Sequence, residues 1–243
     1  FKAEFFVCDL HPDYLSTKYC EKISQKLNVK MIKLQHHKAH IYSVLGENEL
    51  LDKFIGFSFD GLGMGEDGNI WGGEIFAGHR DKFERIGHFD YFPLPGADAA
   101  VSEPWRIVCG ILTKEAVELQ NLLSRLSDVP IDVACDVIDK IIKISKNPKL
   151  SPMTSSVGRL FDVASSLLGF TGKTSFEAEA AIYLESIVDK DVMDFYKISL
   201  NHRDKQIIMP SYELINCVAK SVENGIPKSI IAATFLNTIS HFI

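Results

Sequence analysis

Two histidines four residues apart carry the strongest chemical signal in the chain. They lie in Gln35-His36-His37-Lys38-Ala39-His40, which follows an apolar run and reads as the opening of a helix. Side chains at i and i+4 share a helix face, so His36 and His40 can offer two imidazole nitrogens to one ion while His37 points elsewhere. Spacing alone leaves two readings open, a partial metal site or solvated and packing histidines. The zinc-protease pattern H-E-x-x-H does not apply, because its glutamate is absent.

A second stretch of chemical interest follows at once. Residues 54–59 read as a short apolar strand that runs into Asp60-Gly61-Leu62-Gly63-Met64-Gly65-Glu66-Asp67-Gly68. A loop with glycine at 61, 63, 65 and 68 can approach a ligand closely and aim backbone N–H groups at phosphate. Asp60, at the strand end, could hold a cation or position a water. The alternative is a hairpin with a glycine-rich turn, since residues 70–78 read as the returning strand. Neither Walker A nor G-x-G-x-x-G is present.

Two later segments leave similar choices. The helix expected over residues 156–168 puts Arg159 and Asp162 three apart, off its apolar stripe. They form either a surface ion pair or part of a nucleotide cleft. Ser175-Phe176-Glu177-Ala178-Glu179 reads as a capped helix start, where glutamates also suit the helix dipole.

These residues must be positioned by a mixed α/β frame. The pattern predicts strands at 5–8, 29–34, 54–59, 70–77 and 84–91, with the histidines at a strand-to-helix junction where α/β folds commonly keep ligands. Helices are expected at 12–27, 36–50, 103–112, 115–126 and 131–146. A hairpin follows over 196–200 and 206–209, then helices at 212–223 and 228–242. Ile231, Phe235, Thr238 and Phe242 share one face of the last helix. That face is expected to pack on elements outside the chain and, uncovered, to drive self-association. Trp71 and Trp105 are assigned to the core.

With 243 residues and 46% hydrophobic content, the chain can bury a substantial core. No apolar run reaches transmembrane length, and five scattered cysteines suit a reducing cytoplasm. A net charge of −6 argues against nucleic acid as the main partner.

Taken together, the segments resemble the carbamoyltransferase family HypF of hydrogenase maturation, in its TsaD-like domain. The resemblance rests on Cys8-Asp9-Leu10-His11-Pro12-Asp13-Tyr14-Leu15-Ser16-Thr17, Gln35 to His40, and Phe59-Asp60-Gly61 through Trp71-Gly72-Gly73-Glu74. It extends through Pro93-Leu94-Pro95-Gly96-Ala97-Asp98, Glu103-Pro104-Trp105-Arg106, Ser156-Val157-Gly158-Arg159-Leu160-Phe161-Asp162 and Ser175-Phe176-Glu177. It implies an actin-like ATPase (ASKHA) type α/β fold of two α/β halves with a helical insertion, incomplete at both ends. The first half would cover residues 1–52 and the second 53–243. The implied reaction passes carbamoyl from carbamoyl-adenylate to the C-terminal cysteine of a HypE-type acceptor, toward the cyanide ligands of nickel–iron hydrogenase. Alternatives within the superfamily are tRNA threonylcarbamoyl transfer and small-molecule O-carbamoyl transfer.

The resemblance further implies His36 and His40 as ligands of iron, zinc or magnesium, and Asp60 and Asp162 as catalytic groups. Gly61, Gly63, Gly65, Arg159 and Glu177 would contact the nucleotide. Where relatives usually read Glu-Gly-Gln, this chain has Glu177-Ala178-Glu179. ATP and carbamoyl phosphate would act through domains absent here, so the chain alone is expected to be inactive.

Overall fold

The structure is a computed structural model and describes residues 2–112, 118–122, 135–170 and 172–243. The helix expected over 115–126 falls largely outside the described residues, as does the start of the one expected over 131–146.

The chain opens with a parallel pair, β1 (Phe5–Asp9) and β2 (Lys30–Leu34), in register from Phe5 opposite Lys30 to Asp9 opposite Leu34. The helix α1 (Leu15–Leu27) connects them and stops at Asn28, whose left-handed φ of 51° ends the helix. It starts three residues later than expected, because His11 to Asp13 are used in a turn closed by the Asp13 N–H on His11 Nδ1. The next helix, α2 (His36–Glu47), is capped by Gln35, whose side-chain oxygen accepts the Lys38 N–H at 2.9 Å.

A larger mixed sheet follows. β4 (Ile70–His79) lies between β3 (Phe54–Met64) and β5 (Lys82–Phe89), antiparallel to both. β6 (Phe92–Pro93) carries the chain out of β5. It then meets a run of helices, α3 (Asp98–Ser102), α4 (Trp105–Ile111) and α5 (Cys135–Ser145). β7 (Met153–Thr154) returns to join β6 and the first residue of β4. Then come α6 (Val157–Leu167), α7 (Glu179–Ser186), and the hairpin β8 (Asn201–Arg203) with β9 (Gln206–Met209). β9 pairs in parallel with β5, and α8 (Ser211–Glu223) and α9 (Lys228–Phe242) close the chain.

Three expectations need correction. The glycine-rich segment is mostly strand: β3 continues through Gly61 and Gly63 to Met64, and only residues 65–69 turn. Glycine does not stop the ladder here because β4 supplies partners, pairing Gly63 with Trp71 and Met64 with Ile70. Residues 196–200 are not a strand, since the Tyr196 N–H bonds the Thr238 hydroxyl instead of a neighbouring strand. The hairpin turn falls at Asp204 and Lys205, both at positive φ. Finally, the face of α9 is covered by this chain itself. Ile231, Phe235, Thr238 and Phe242 are buried, Phe235 meets Phe161 at 5.5 Å between ring centroids, and Phe242 meets Phe89 at 6.1 Å.

The core centres on α6, whose Leu160, Val163, Ala164 and Leu167 are fully buried. It contacts α4, α7, α8 and β3. Trp71 is buried as expected, whereas Trp105 is only partly covered. Among the described residues no helix is long and apolar enough to cross a membrane.

Candidate metal centre at the α2–β3 junction

The helical spacing of His36 and His40 brings their rings together, with the two Nε2 atoms 3.2 Å apart. The third arrival is Asp60, whose Oδ2 lies 3.1 Å from His36 Nε2. One ligand atom from each of the three falls within 4.8 Å of the others. Asp60 reaches this point through an irregularity in β3. Phe59 pairs with Gly73 and Gly63 with Trp71, so residues 60–62 face Gly72 alone. From the other side the Ser156 hydroxyl, at the N-cap of α6, lies 2.6 and 2.7 Å from the carbonyl oxygens of Asp60 and Gly61. A side chain on Gly72 would strike Asp60 O and Ser156 Cβ, so this closeness requires glycine.

The donor chemistry fits a metal ion. His36 Nδ1 is 2.7 Å from Asp9 Oδ2, which places a proton on Nδ1 and leaves Nε2 as the ligand atom. That nitrogen then faces a second imidazole nitrogen and the Asp60 oxygen. Such atoms cannot direct lone pairs at one another without a cation or proton between them. With metal–nitrogen and metal–oxygen bonds of about 2.0–2.2 Å and angles between octahedral and tetrahedral, ligand atoms stand roughly 2.8–3.6 Å apart, a range that holds both His36 pairs, at 3.2 and 3.1 Å.

His37 serves a different purpose. It is fully buried and its Nδ1 lies 3.0 Å from the Gln35 amide nitrogen. The Gln35 oxygen is committed to the Lys38 N–H, and its nitrogen also donates to Met64 O at 3.0 Å. His37 Nδ1 is therefore the acceptor and Nε2 carries the proton. Burial pushes its pKa down to about 4 against an opposing pull from Asp60, so the ring is neutral near pH 7. A side chain on Gly63 would collide with this ring and crowd His36 Cδ2 at 3.0 Å, so Gly63 is a close-approach glycine.

Arg159 and Asp162 do form the expected pair, at 3.0 Å, but it is buried rather than on the surface. Burial raises the Asp162 carboxyl to about 6, with Arg159 opposing. The Arg159 guanidinium lies over Gly61, the residue after Asp60, 3.7 Å from the position a Cβ would take there. Gly65 sits in the turn, its N–H bonded to Asn69 O, and the Gly61 N–H bonds the Asp60 side chain at 2.6 Å. Neither amide is presented as a free phosphate donor. Glu177 is exposed before α7 and, among the described residues, has no hydrogen bond or ion pair to the cluster. Glu179 instead caps Ser175, accepting its hydroxyl at 2.9 Å.

The sequence reading missed three contributors. Asp9 sits in a quoted motif, yet its bond to His36 spans 27 residues and has no local signature. Ser156 could have been noticed as a helix cap. The third is a polar network under the hairpin. The buried Glu74 bonds the N–H groups of Gly72 and Gly73 at 3.1 and 3.2 Å and pairs with Arg85 and Ser155. Arg85 stacks on Trp71 with its guanidinium carbon 4.1 Å from the ring centroid, and Asp67 accepts from the Trp71 indole at 2.9 Å. A cavity of about 420 Å³ is lined by His11, Tyr14, Leu62, Gly63, Met64 and Ile70, among others, and reaches the neighbourhood of the cluster through Gly63, against which His36 packs.

These features define a mixed α/β domain with a candidate metal centre, and comparison with known proteins gives its family. The family described as "Carbamoyltransferase, Kae1-like Domain, second subdomain" matches residues 56–243, and "HypF Kae1-like domain" matches residues 1–47. The chain belongs to the HypF carbamoyltransferase family. The probable carbamoyltransferase HypF of Methanocaldococcus jannaschii is 36% identical over 88% of this chain and 27% of its own length. The carbamoyltransferase HypF of Synechocystis is 32% identical over 100% of this chain and 32% of its own. A crystal structure of full-length HypF in the phosphate- and nucleotide-bound form superposes with a TM-score of 0.86 at 32% identity, over 98% of this chain and 36% of that one. The HypF of T. kodakarensis gives 0.79 at 31%, over 98% and 32%. The fold is thus α/β of the actin-like type, and the chain spans 22% to 44% of the length of the curated relatives it matches.

Proposed function

We propose that this chain binds carbamoyl-adenylate and passes the carbamoyl group to the C-terminal cysteine thiolate of a HypE-type acceptor. The observation that carries this reading is the convergence of His36, His40 and Asp60 on one point. His36, His40 and Asp60 would hold a divalent ion, iron or zinc by their nitrogen-rich character, which supplies Lewis-acid polarisation of a phosphoryl or carbamoyl oxygen. The chain's own groups do the rest. Arg159 sets a positive charge beside the anionic phosphate, and Ser156 holds the Asp60 backbone in place. Asp162 holds Arg159 through their ion pair at 3.0 Å. The cavity against Gly63 leaves room for a reactant next to the ligands. In the transfer, the thiolate sulfur bonds to the carbamoyl carbon and the bond from that carbon to the phosphate oxygen breaks. AMP leaves with the electron pair, and the thiol proton goes to solvent.

Carbamoyl phosphate and ATP would enter through other domains of a full-length HypF, so the 243 residues alone should show no turnover. The setting would be cytoplasmic, with residues 1–52 and 53–243 as the two halves. The test exchanges this chain into a full-length HypF and supplies carbamoyl phosphate and ATP. An acceptor protein ending in cysteine and tRNA are offered in parallel, and intact mass is read on both. A carbamoyl adduct on cysteine that disappears in His36→Ala and Asp60→Ala supports the reading. An adduct on tRNA alone replaces it with tRNA modification, and no adduct on either overturns it.

A further inference from the structure

The two histidines and Asp60 are held at their backs by groups that touch no ligand position, and one of these stands out geometrically. Asp9 ends β1 and offers both carboxylate oxygens inward. Oδ2 lies 2.7 Å from His36 Nδ1, and Oδ1 accepts the His11 N–H at 2.8 Å. The backbone around it is fixed as well. Its carbonyl oxygen accepts from the hydroxyl of the fully buried Thr17, 3.3 Å away, and Asp9 pairs in register with Leu34, two residues before His36. The carboxylate thus has no freedom to turn away from the imidazole.

We infer that Asp9 is a positioning residue of the metal centre, which fixes His36 as the Nδ1–H tautomer and so aims the Nε2 lone pair at the ion. The inference rests on the metal reading above but makes a statement about the chain that stands without an ion. A carboxylate can only accept from Nδ1, so the tautomer is set before any metal arrives. A hydrogen-bonded carboxylate also makes the opposite nitrogen a better electron donor. Among the described residues His40 has no carboxylate partner of this kind and meets only His36, so the pair is asymmetric: His36 is the pre-set ligand and His40 adapts to it. An asparagine at position 9 keeps the volume but can turn its amide nitrogen toward Nδ1. That would move the proton to Nε2 and block coordination.

Two measurements test this on the chain. Nitrogen-15 NMR of the metal-free protein, at a pH where the ring is neutral, should show His36 protonated at Nδ1, and Asp9→Asn should lose that preference. A His36 found protonated at Nε2 in the unmutated chain overturns the inference, whatever the protein does with metal. Zinc titration, with cobalt(II) absorption as the spectroscopic reporter, should then show Asp9→Asn binding about 10–100-fold more weakly. Asp9→Glu should recover part of the loss, and the metal-free melting temperature should stay near that of the unmutated chain. Equal zinc affinity and an unchanged cobalt spectrum in Asp9→Asn would overturn it. If the unmutated chain binds no zinc or cobalt, the metal reading itself fails, while the tautomer measurement still decides the role of Asp9.

Discussion

The N-terminal unit of β1, α1 and β2 and the body around α6 both carry apolar residues but use them differently. In α6, eight of the eleven residues are buried, and α9 lays Phe235 and Phe242 against the same core. In α1 only Thr17 is buried, while Leu15 is 85% and Tyr19 66% exposed; on β1, Phe5 and Val7 are both more than half exposed. Parallel strands usually have both faces covered, and a two-stranded sheet on its own is marginal. The candidate metal centre spans this difference: Asp9 comes from the weakly packed unit, His36 and His40 from the helix that follows it, and Asp60 from the body. The lesson is that the site's precision depends on a region that the chain's own core barely supports.

Mutations can break or sharpen this contrast. Phe235→Ala should cost about 3–5 kcal/mol in urea unfolding, because a full aromatic ring leaves a closed core. A loss below 1 kcal/mol would mean that the body is no better packed than the N-terminal unit.

Asp162→Asn probes a charge buried in the body. The carboxyl's pKa in the fold, about 6, stands above its unfolded value near 4. The folded state therefore holds more protons between those values, and stability from this group is present at low pH and lost as pH rises through 6. The variant should be more stable than the unmutated chain by up to about 3 kcal/mol above pH 7, with the gain vanishing near pH 4. A pH-independent difference would refute the raised pKa.

Zinc at 100 times its dissociation constant should stabilise the chain by about 2.7 kcal/mol, an effect lost in His40→Ala. Hydrogen exchange should locate the gain in β1, β2 and α2 more than in α6. Uniform protection would erase the contrast between the two regions. The smallest effect is expected for Leu15→Ser with Tyr19→Ser, within about 0.5 kcal/mol by melting, since neither side chain leaves a core.

Local patterns made much of this arrangement readable. The i,i+4 histidines, α6 with its Ser156 start, and α9 over residues 228–242 follow from periodicity and caps, which need no knowledge of partners. What failed depended on partners far along the chain. The face of α9 was visible as apolar, but nothing in residues 231–242 says that Phe89 and Phe161 cover it. Glycines at 61 and 63 suggested a phosphate loop, yet both lie in β3, and Gly63 is spared a side chain because two histidine rings press on it. Asp9 needed the β1–β2 register before its reach to His36 could be seen. Glu177 was placed at the nucleotide by its motif, and the fold shows it exposed, with no contact among the described residues that speaks for or against that role.

The irregular pairing at residues 60–62 also makes strand length a setting for chemistry. Side chains on a strand alternate between faces, so removing one residue there would turn Asp60 from the histidines toward the opposite side, or else reverse the facing of every residue of β3 that precedes it. Substitutions around Asp60 can be graded, but a change of length cannot. Such a deletion would act as an all-or-none exchange of which residues meet α2, with the composition of the hairpin almost untouched.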